Sequence, residues 1–99
     1  MDYQVVWSPR VLEDVNAIAA YISLDSSSYA LSVVKKILDT TYSLNRLPYS
    51  GRIVLEFNDE TIPERFAYSY RIIYRVQENK ITIAAIIHSK RLLKADINP

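Results

Sequence analysis

The stretch from residue 64 to residue 88 constrains the fold most, because its large apolar side chains alternate on both sides of a polar break, Gln77-Glu78-Asn79-Lys80. A period of two marks a strand with two distinct faces, and the break has the composition of a tight turn. With Glu78 and Asn79 as the loop residues, Val76 faces Ile81, Tyr74 faces Ile83, Ile72 faces Ala85 and Tyr70 faces Ile87, so one face is wholly apolar or aromatic. The same register sets Arg75 opposite Thr82, Ile73 opposite Ala84 and Arg71 opposite Ile86, a mixed face that carries two arginines. A slip of one residue would destroy this separation, so the pairing is strongly specified.

Upstream of the hairpin the period becomes helical. Tyr3, Val5 and Trp7 alternate in a short strand, and Ser8-Pro9 follows as a cap and a first helical residue. Val11, Val15, Ile18 and Ile22 share one helical face with Leu12 and Ala19 beside them, while Arg10, Glu13, Asp14 and Asn16 take the other. Asp25-Ser26-Ser27-Ser28 breaks the chain and supplies caps for a second helix. From Tyr29 to Leu47 the positions Ala30, Val34, Ile37, Leu38 and Leu44 predict that helix, and Pro48 stops it. The short connection makes the two helices antiparallel neighbours. After Gly51, Arg52–Phe57 reads as a strand with Ile53, Leu55 and Phe57 on one side, and Asn58–Pro63 as a turn. The expected architecture is α+β: an N-terminal strand and an antiparallel helical hairpin packed on one face of a twisted antiparallel sheet of three or four strands.

Composition narrows the chemistry. A chain of 99 residues has room for one core, so residues 1–99 are expected to form a single domain. The absence of cysteine excludes disulfides, thiolate metal sites and a cysteine nucleophile. One glycine, Gly51, excludes the glycine-rich loops that cradle nucleotide phosphates, and no cofactor is expected. The longest wholly apolar stretch, Ile83 to Ile87, is far shorter than a membrane span, and the N-terminus has no basic-then-apolar leader pattern. A cytoplasmic protein without a membrane partner is the expectation. The formal net charge of +1 conceals a segregation. Between Ile53 and Glu64 stand four acids and no base, whereas between Arg65 and Lys94 stand seven bases and Glu78 as the one acid.

His88 is the only side chain that titrates ordinarily near neutral pH. It reads either as a sheet-edge residue bonded to nearby backbone or to Ser69, or as part of a surface site with Arg71 and Lys90. One histidine supplies no metal-ligand spacing. Glu56, Asp59, Glu60 and Glu64 fit no calcium loop and read as a solvated segment or as partners for arginines, with Glu56 kept as a possible general base. Arg71 and Arg75 project from one strand face, where Arg52, Arg65, Lys90 and Arg91 could join them to bind phosphates or an acidic protein segment. The competing reading is ordinary solvation, or cross-strand ion pairs to Glu56 and Glu64. Tyr70 and Tyr74 fall on the core face; Tyr68 and Tyr49 are the exposed candidates.

The ordered set Trp7-Ser8-Pro9, Glu13-Asp14-Val15, Ile18 with Tyr21-Ile22, Leu47-Pro48, Gly51-Arg52, Tyr70-Arg71-Ile72-Ile73-Tyr74-Arg75-Val76 and Ile86-Ile87-His88-Ser89-Lys90-Arg91 resembles the RelE/ParE superfamily of toxins over almost the whole chain. The resemblance implies the toxin half of a bacterial type II toxin–antitoxin pair, with roles in growth inhibition and plasmid stabilisation. It also implies a cognate ParD-like antitoxin that binds the toxin in a hetero-oligomer and blocks it. RelE-like members cleave mRNA on the ribosome; ParE-like members poison DNA gyrase without that catalytic set. Arg71 matches a strand arginine of both branches. The tail after Lys90-Arg91 has no tyrosine, phenylalanine or histidine, and the GRIVLE segment and the IIHSKR ending look more like the ParE branch. The leading expectation is therefore a gyrase inhibitor, not an enzyme, that meets its target or antitoxin through Arg52, Arg65, Arg71, Arg75, Lys90 and Arg91. The alternative is a ribosome-dependent mRNA endonuclease using Arg71, His88, Lys90 and Glu56, and a non-toxic binding module of the same fold is the third.

Overall fold

A computed structural model describes residues 2–90. Along the chain run β1 (Gln4–Trp7), α1 (Pro9–Ser23), α2 (Ser27–Ser43), β2 (Arg52–Ile53), β3 (Pro63–Ala67), β4 (Tyr70–Gln77) and β5 (Lys80–His88). The strands form one sheet in the order β1-β5-β4-β3-β2, in which β2 to β5 are an antiparallel meander and β1 lies parallel to β5. This is the expected α+β arrangement with the helices on one face. The core beneath them is built from Val11, Val15 and Ile22 of α1, Ala30, Val33 and Ile37 of α2, and Ile72, Tyr74, Ile81 and Ile83 of the sheet.

The helix boundaries follow from side chains near their ends. Ser8 and Ser26 both have the extended backbone of a cap, but only Ser26 caps with its hydroxyl, accepting from Tyr29 N–H at 3.1 Å. Helix α2 stops at Ser43, short of the expected Leu47. Thr40, Thr41 and Ser43 turn their hydroxyls back onto the carbonyls of Lys36, Leu38 and Thr40, a habit that weakens a helix from within. Its buried stripe is also rotated, with Val33 inside and Val34 only partly buried.

Two expectations about the sheet need correction. The strand expected over Arg52–Phe57 ends at Ile53: Val54 N–H still reaches the Ile62 carbonyl in the same register, but the Val54 carbonyl is turned to Phe57 and Asn58, which both donate to it. Asn58 sits at φ 50°, a left-handed turn conformation that asparagine tolerates. Residues 54–62 therefore fold back over the helix-free face of the sheet, where Val54, Phe57 and Ile62 pack on Ile73, Ala85 and Ile87 as a second small core.

The hairpin register is the second correction. Val76↔Ile81, Arg75↔Thr82 and Tyr74↔Ile83 pair as expected, but an irregularity between Ile73 and Tyr74 then shifts every pair: Ile73↔Ala85, Ile72↔Ile86, Arg71↔Ile87 and Tyr70↔His88. Ala84 is the extra residue of a β-bulge, which turns everything after it onto the opposite face. The freed Ile86 N–H is taken by Asp14 Oδ2 of α1 at 3.1 Å.

Gly51 is held by its surroundings. Its N–H donates to Tyr74 Oη at 3.1 Å, and a Cβ there would overlap the Glu64 carbonyl oxygen and stand 2.7 Å from the same phenol oxygen. Gly51→Ala is expected to cost about 1–3 kcal/mol through overpacking, measured as a lower urea midpoint. Burial pushes the Tyr74 phenol above its ordinary value of 10.0, outweighing the Gly51 hydrogen bond and the charge of Arg65, which act in the other direction. A group raised on folding contributes stability that is complete below the unfolded value and is lost as pH rises through the folded one. Stability is thus expected to fall above about pH 10, and less steeply in Tyr74→Phe, as followed by unfolding across an alkaline pH series.

Candidate functional site

The helix-free face of the sheet concentrates the charge that the sequence separates. Arg52 of β2 is paired with Glu64 of β3, Glu64 with Ile73 of β4, and Phe66 with Arg71, so cross-strand geometry places all of these side chains on one face. Arg71 donates from Nε to Glu64 Oε1 at 2.5 Å, and its two terminal nitrogens grip Glu56 at 2.8 and 3.0 Å. Arg52 Nε approaches Glu64 Oε2 at 3.0 Å from the outside, with its guanidinium 5.0 Å over the Phe66 ring. The inner pair is sealed: the side chains of Arg71 and Glu64 are 7% and 1% exposed. The two-toothed contact with Glu56, ahead of the opposing effect of burial and with Glu64 in support, raises the proton affinity of Arg71 further. Arg71 is a permanent cation held between two carboxylates.

The expected basic face is therefore largely neutralised from within, and its members do not form one patch. Arg65 is on the helix side, where it donates to Ser50 Oγ at 2.8 Å. Arg75 shares the face of Arg71 and is half-buried; its Nε is buried without a hydrogen-bond partner. The charge of Arg75 is a minor influence on Asp59, whose carboxyl is held below its usual value chiefly by the Thr61 hydroxyl and backbone N–H. Lys90 is exposed, and Arg91 lies outside the described residues. Tyr49 and Tyr68 are exposed, as expected, and Tyr68 stands 6.1 Å from the Tyr29 ring.

His88 is parted from Arg71 by the bulge. In the expected register it would share the arginine face; with Ala84 inserted it lies instead against Tyr70, edge to face, with ring centroids 5.6 Å apart. Its Nδ1 accepts from Lys90 N–H at 3.2 Å, so the neutral ring carries its proton on Nε2. Of the four nuclease candidates, Arg71 and Glu56 meet on one face, whereas His88 stands on the other. No three histidine, aspartate or glutamate side chains among the described residues are grouped to hold a metal ion, and none of the described helices is long and apolar enough to cross a membrane.

Three features here were not read from the sequence: the bulge, the Asp14 contact with Ile86, and a tyrosine-lined cleft beside His88. The adjacent small residues Ala84-Ala85, which interrupt the alternation of large side chains, were the available signal for the first.

Removing the inner cation should act on folding first. Arg71→Ala leaves Glu64 buried beside only its outer partner and is expected to cost about 3–5 kcal/mol, whereas Arg52→Ala, at a side chain 63% exposed, is expected to cost less than about 1 kcal/mol. Urea unfolding of the two variants distinguishes them.

The family model described as ParE toxin of type II toxin-antitoxin system, parDE, matches residues 5–93. Among solved structures, the chain is similar to the chromosomal ParDE toxin–antitoxin system from P. aeruginosa, with a TM-score of 0.72 at 19% identity, covering 89% of this chain and 97% of that one. The RelBE2 toxin–antitoxin complex from Mycobacterium tuberculosis gives 0.64 at 15% identity, covering 89% and 99%. A mutant of the E. coli toxin RelE in the free state gives 0.64 at 14% identity, covering 91% and 86%. No curated protein matches the chain by sequence.

Proposed function

Because this chain belongs to the ParE toxin family of type II toxin–antitoxin systems, we propose that it inhibits DNA gyrase in the bacterial cytoplasm and is held inactive by a ParD-like antitoxin in a hetero-oligomer. The observation that carries this reading is the separation of His88 from Arg71. Phosphodiester cleavage needs an acid, a base and phosphate ligands converging on one place. Here the strand arginine is enclosed by Glu64 and Glu56, and the histidine faces α1. A poison of gyrase requires only a surface complementary to its target.

The antitoxin is supported by the family and by the surface itself. Leu24, Leu31 and Tyr21 are exposed on the helical hairpin, and an apolar hollow of about 390 Å³ lies between the helices, lined by residues that include Ala20, Ala30, Leu31 and Val34. An amphipathic segment that folds on binding would cover such surface.

Two assays on the purified chain test the target. Loss of gyrase supercoiling without cleavage of mRNA on ribosomes is the expected outcome. Ribosome-dependent cleavage with supercoiling intact would contradict it and favour the nuclease reading, and inactivity in both would favour a binding module.

A further inference from the structure

The end of the fold that carries His88 gathers tyrosines and carboxylates. Two contiguous hollows, of about 300 and 350 Å³, lie between α1, the start of α2 and the adjoining ends of β4 and β5, and they share Tyr21, Tyr70 and His88 as walls. Tyr29 lines one of them, Asp14 stands in the first and Asp25 in the second. Among the described residues, no lysine or arginine lines either hollow. The outer edge of β5 forms part of the wall: β1 accompanies β5 only from Lys80 to Ile83, so no strand among the described residues lies outside the stretch from Ala84 to His88.

We propose that this cleft receives an arginine side chain presented by a protein partner. The inference rests on the toxin–antitoxin reading for the partner's identity, which would be the antitoxin, and on the cleft alone for its chemistry. Tyrosine ring faces carry negative potential and attract a cation, most strongly one desolvated between rings. Guanidinium is favoured over ammonium because it is flat, weakly hydrated and able to stack while it donates hydrogen bonds in its plane. Asp14 and Asp25 supply acceptors at the two ends. Asp14 Oδ2 is occupied by the Ile86 N–H, and Arg10 Nε stands 4.0 Å from that same oxygen, so Arg10 is the internal competitor at this end. Asp25 is exposed and makes no ion pair among the described residues. An acidic segment would meet both carboxylates here and be repelled. A partner that wraps the chain is therefore expected to present basic chemistry to this end, the reverse of what the run of bases in the C-terminal third of the sequence suggests.

The test is an NMR titration of the full-length chain with a blocked Gly-Arg-Gly peptide, its citrulline counterpart, which is isosteric and uncharged, and a Gly-Glu-Gly control. The expected result is saturable shifts at Tyr21, Tyr70 and His88 with the arginine peptide, at least tenfold weaker binding of citrulline, and no binding of the glutamate peptide. Tyr21→Ala and Asp25→Asn should each weaken the arginine peptide at least threefold with the spectrum otherwise unchanged, because both side chains lie on the surface, Tyr21 at 73% exposure. Equal binding of arginine and citrulline, or shifts centred on Glu56 and Arg71, would overturn the proposal. A null titration in a chain that still binds its antitoxin would overturn the cleft and leave the toxin reading intact. Arginine binding in a chain that binds no antitoxin would do the opposite.

Discussion

Arg71 stands at the centre of a sheet face with a carboxylate on each side, and much of the fold is arranged around that fact. A guanidinium keeps its charge in any protein environment, so a buried one must be paired and hydrogen-bonded or the structure loses several kcal/mol. Glu64 satisfies it from the neighbouring strand, and Glu56 reaches it from the segment that folds back after β2. That second contact has structural reach. It fastens residues 54–62 over the sheet, which buries Ile73, Ala85 and Ile87 beneath Val54 and Ile62. An antiparallel sheet commonly leaves one face to water; here helices cover one face and an ion-paired segment covers much of the other. Glu56 and Glu64 of the acid run are thus spent on Arg71 and Arg52, so part of the charge that the sequence segregates is paired within the sheet.

The bulge at Ala84 is the other organising feature. One extra residue divides β5 into two stretches of opposite facing, so Ile83 and Ile86 both reach the main core although they are three positions apart. It also moves His88 from the arginine face to the tyrosine cleft. The defect is stabilised locally, since the N–H it releases is bonded by Asp14, a residue on the polar side of α1. A pairing shift of a single residue thereby decides which chemistry His88 can join.

The parts of this fold that periodicity encodes were legible in the sequence: the two helices, the β4–β5 hairpin with its turn at Glu78 and Asn79, and the placement of Tyr74 in the core. Their signals are repeated many times along each element. What the sequence hid depends on single events. Nothing in the alternation of Ile53, Leu55 and Phe57 announces that the Val54 carbonyl will accept from Phe57 and Asn58 and end the strand. The Ala84-Ala85 pair is compatible with a regular strand and with a bulge, and only the fit of Ile86 to the core selects the latter. Of the candidate arginines, Arg71 and Arg75 share a face, as their positions on one strand predict; Arg65, on the neighbouring strand opposite Ile72, does not. Ion pairing to Glu56 and Glu64 was among the readings available, and selecting it required knowing that residues 54–62 fold over the sheet.

The central claim is that Arg71 is committed inward, to the cohesion of the sheet, and the most direct measurement is a double-mutant cycle on Glu56→Gln and Arg71→Met by urea unfolding. A coupling of about 1–3 kcal/mol between the two positions is predicted, within the range for contacting residues in one charged network. Additive effects, with coupling below about 0.5 kcal/mol, would contradict it and return Arg71 to the surface chemistry its sequence context suggests.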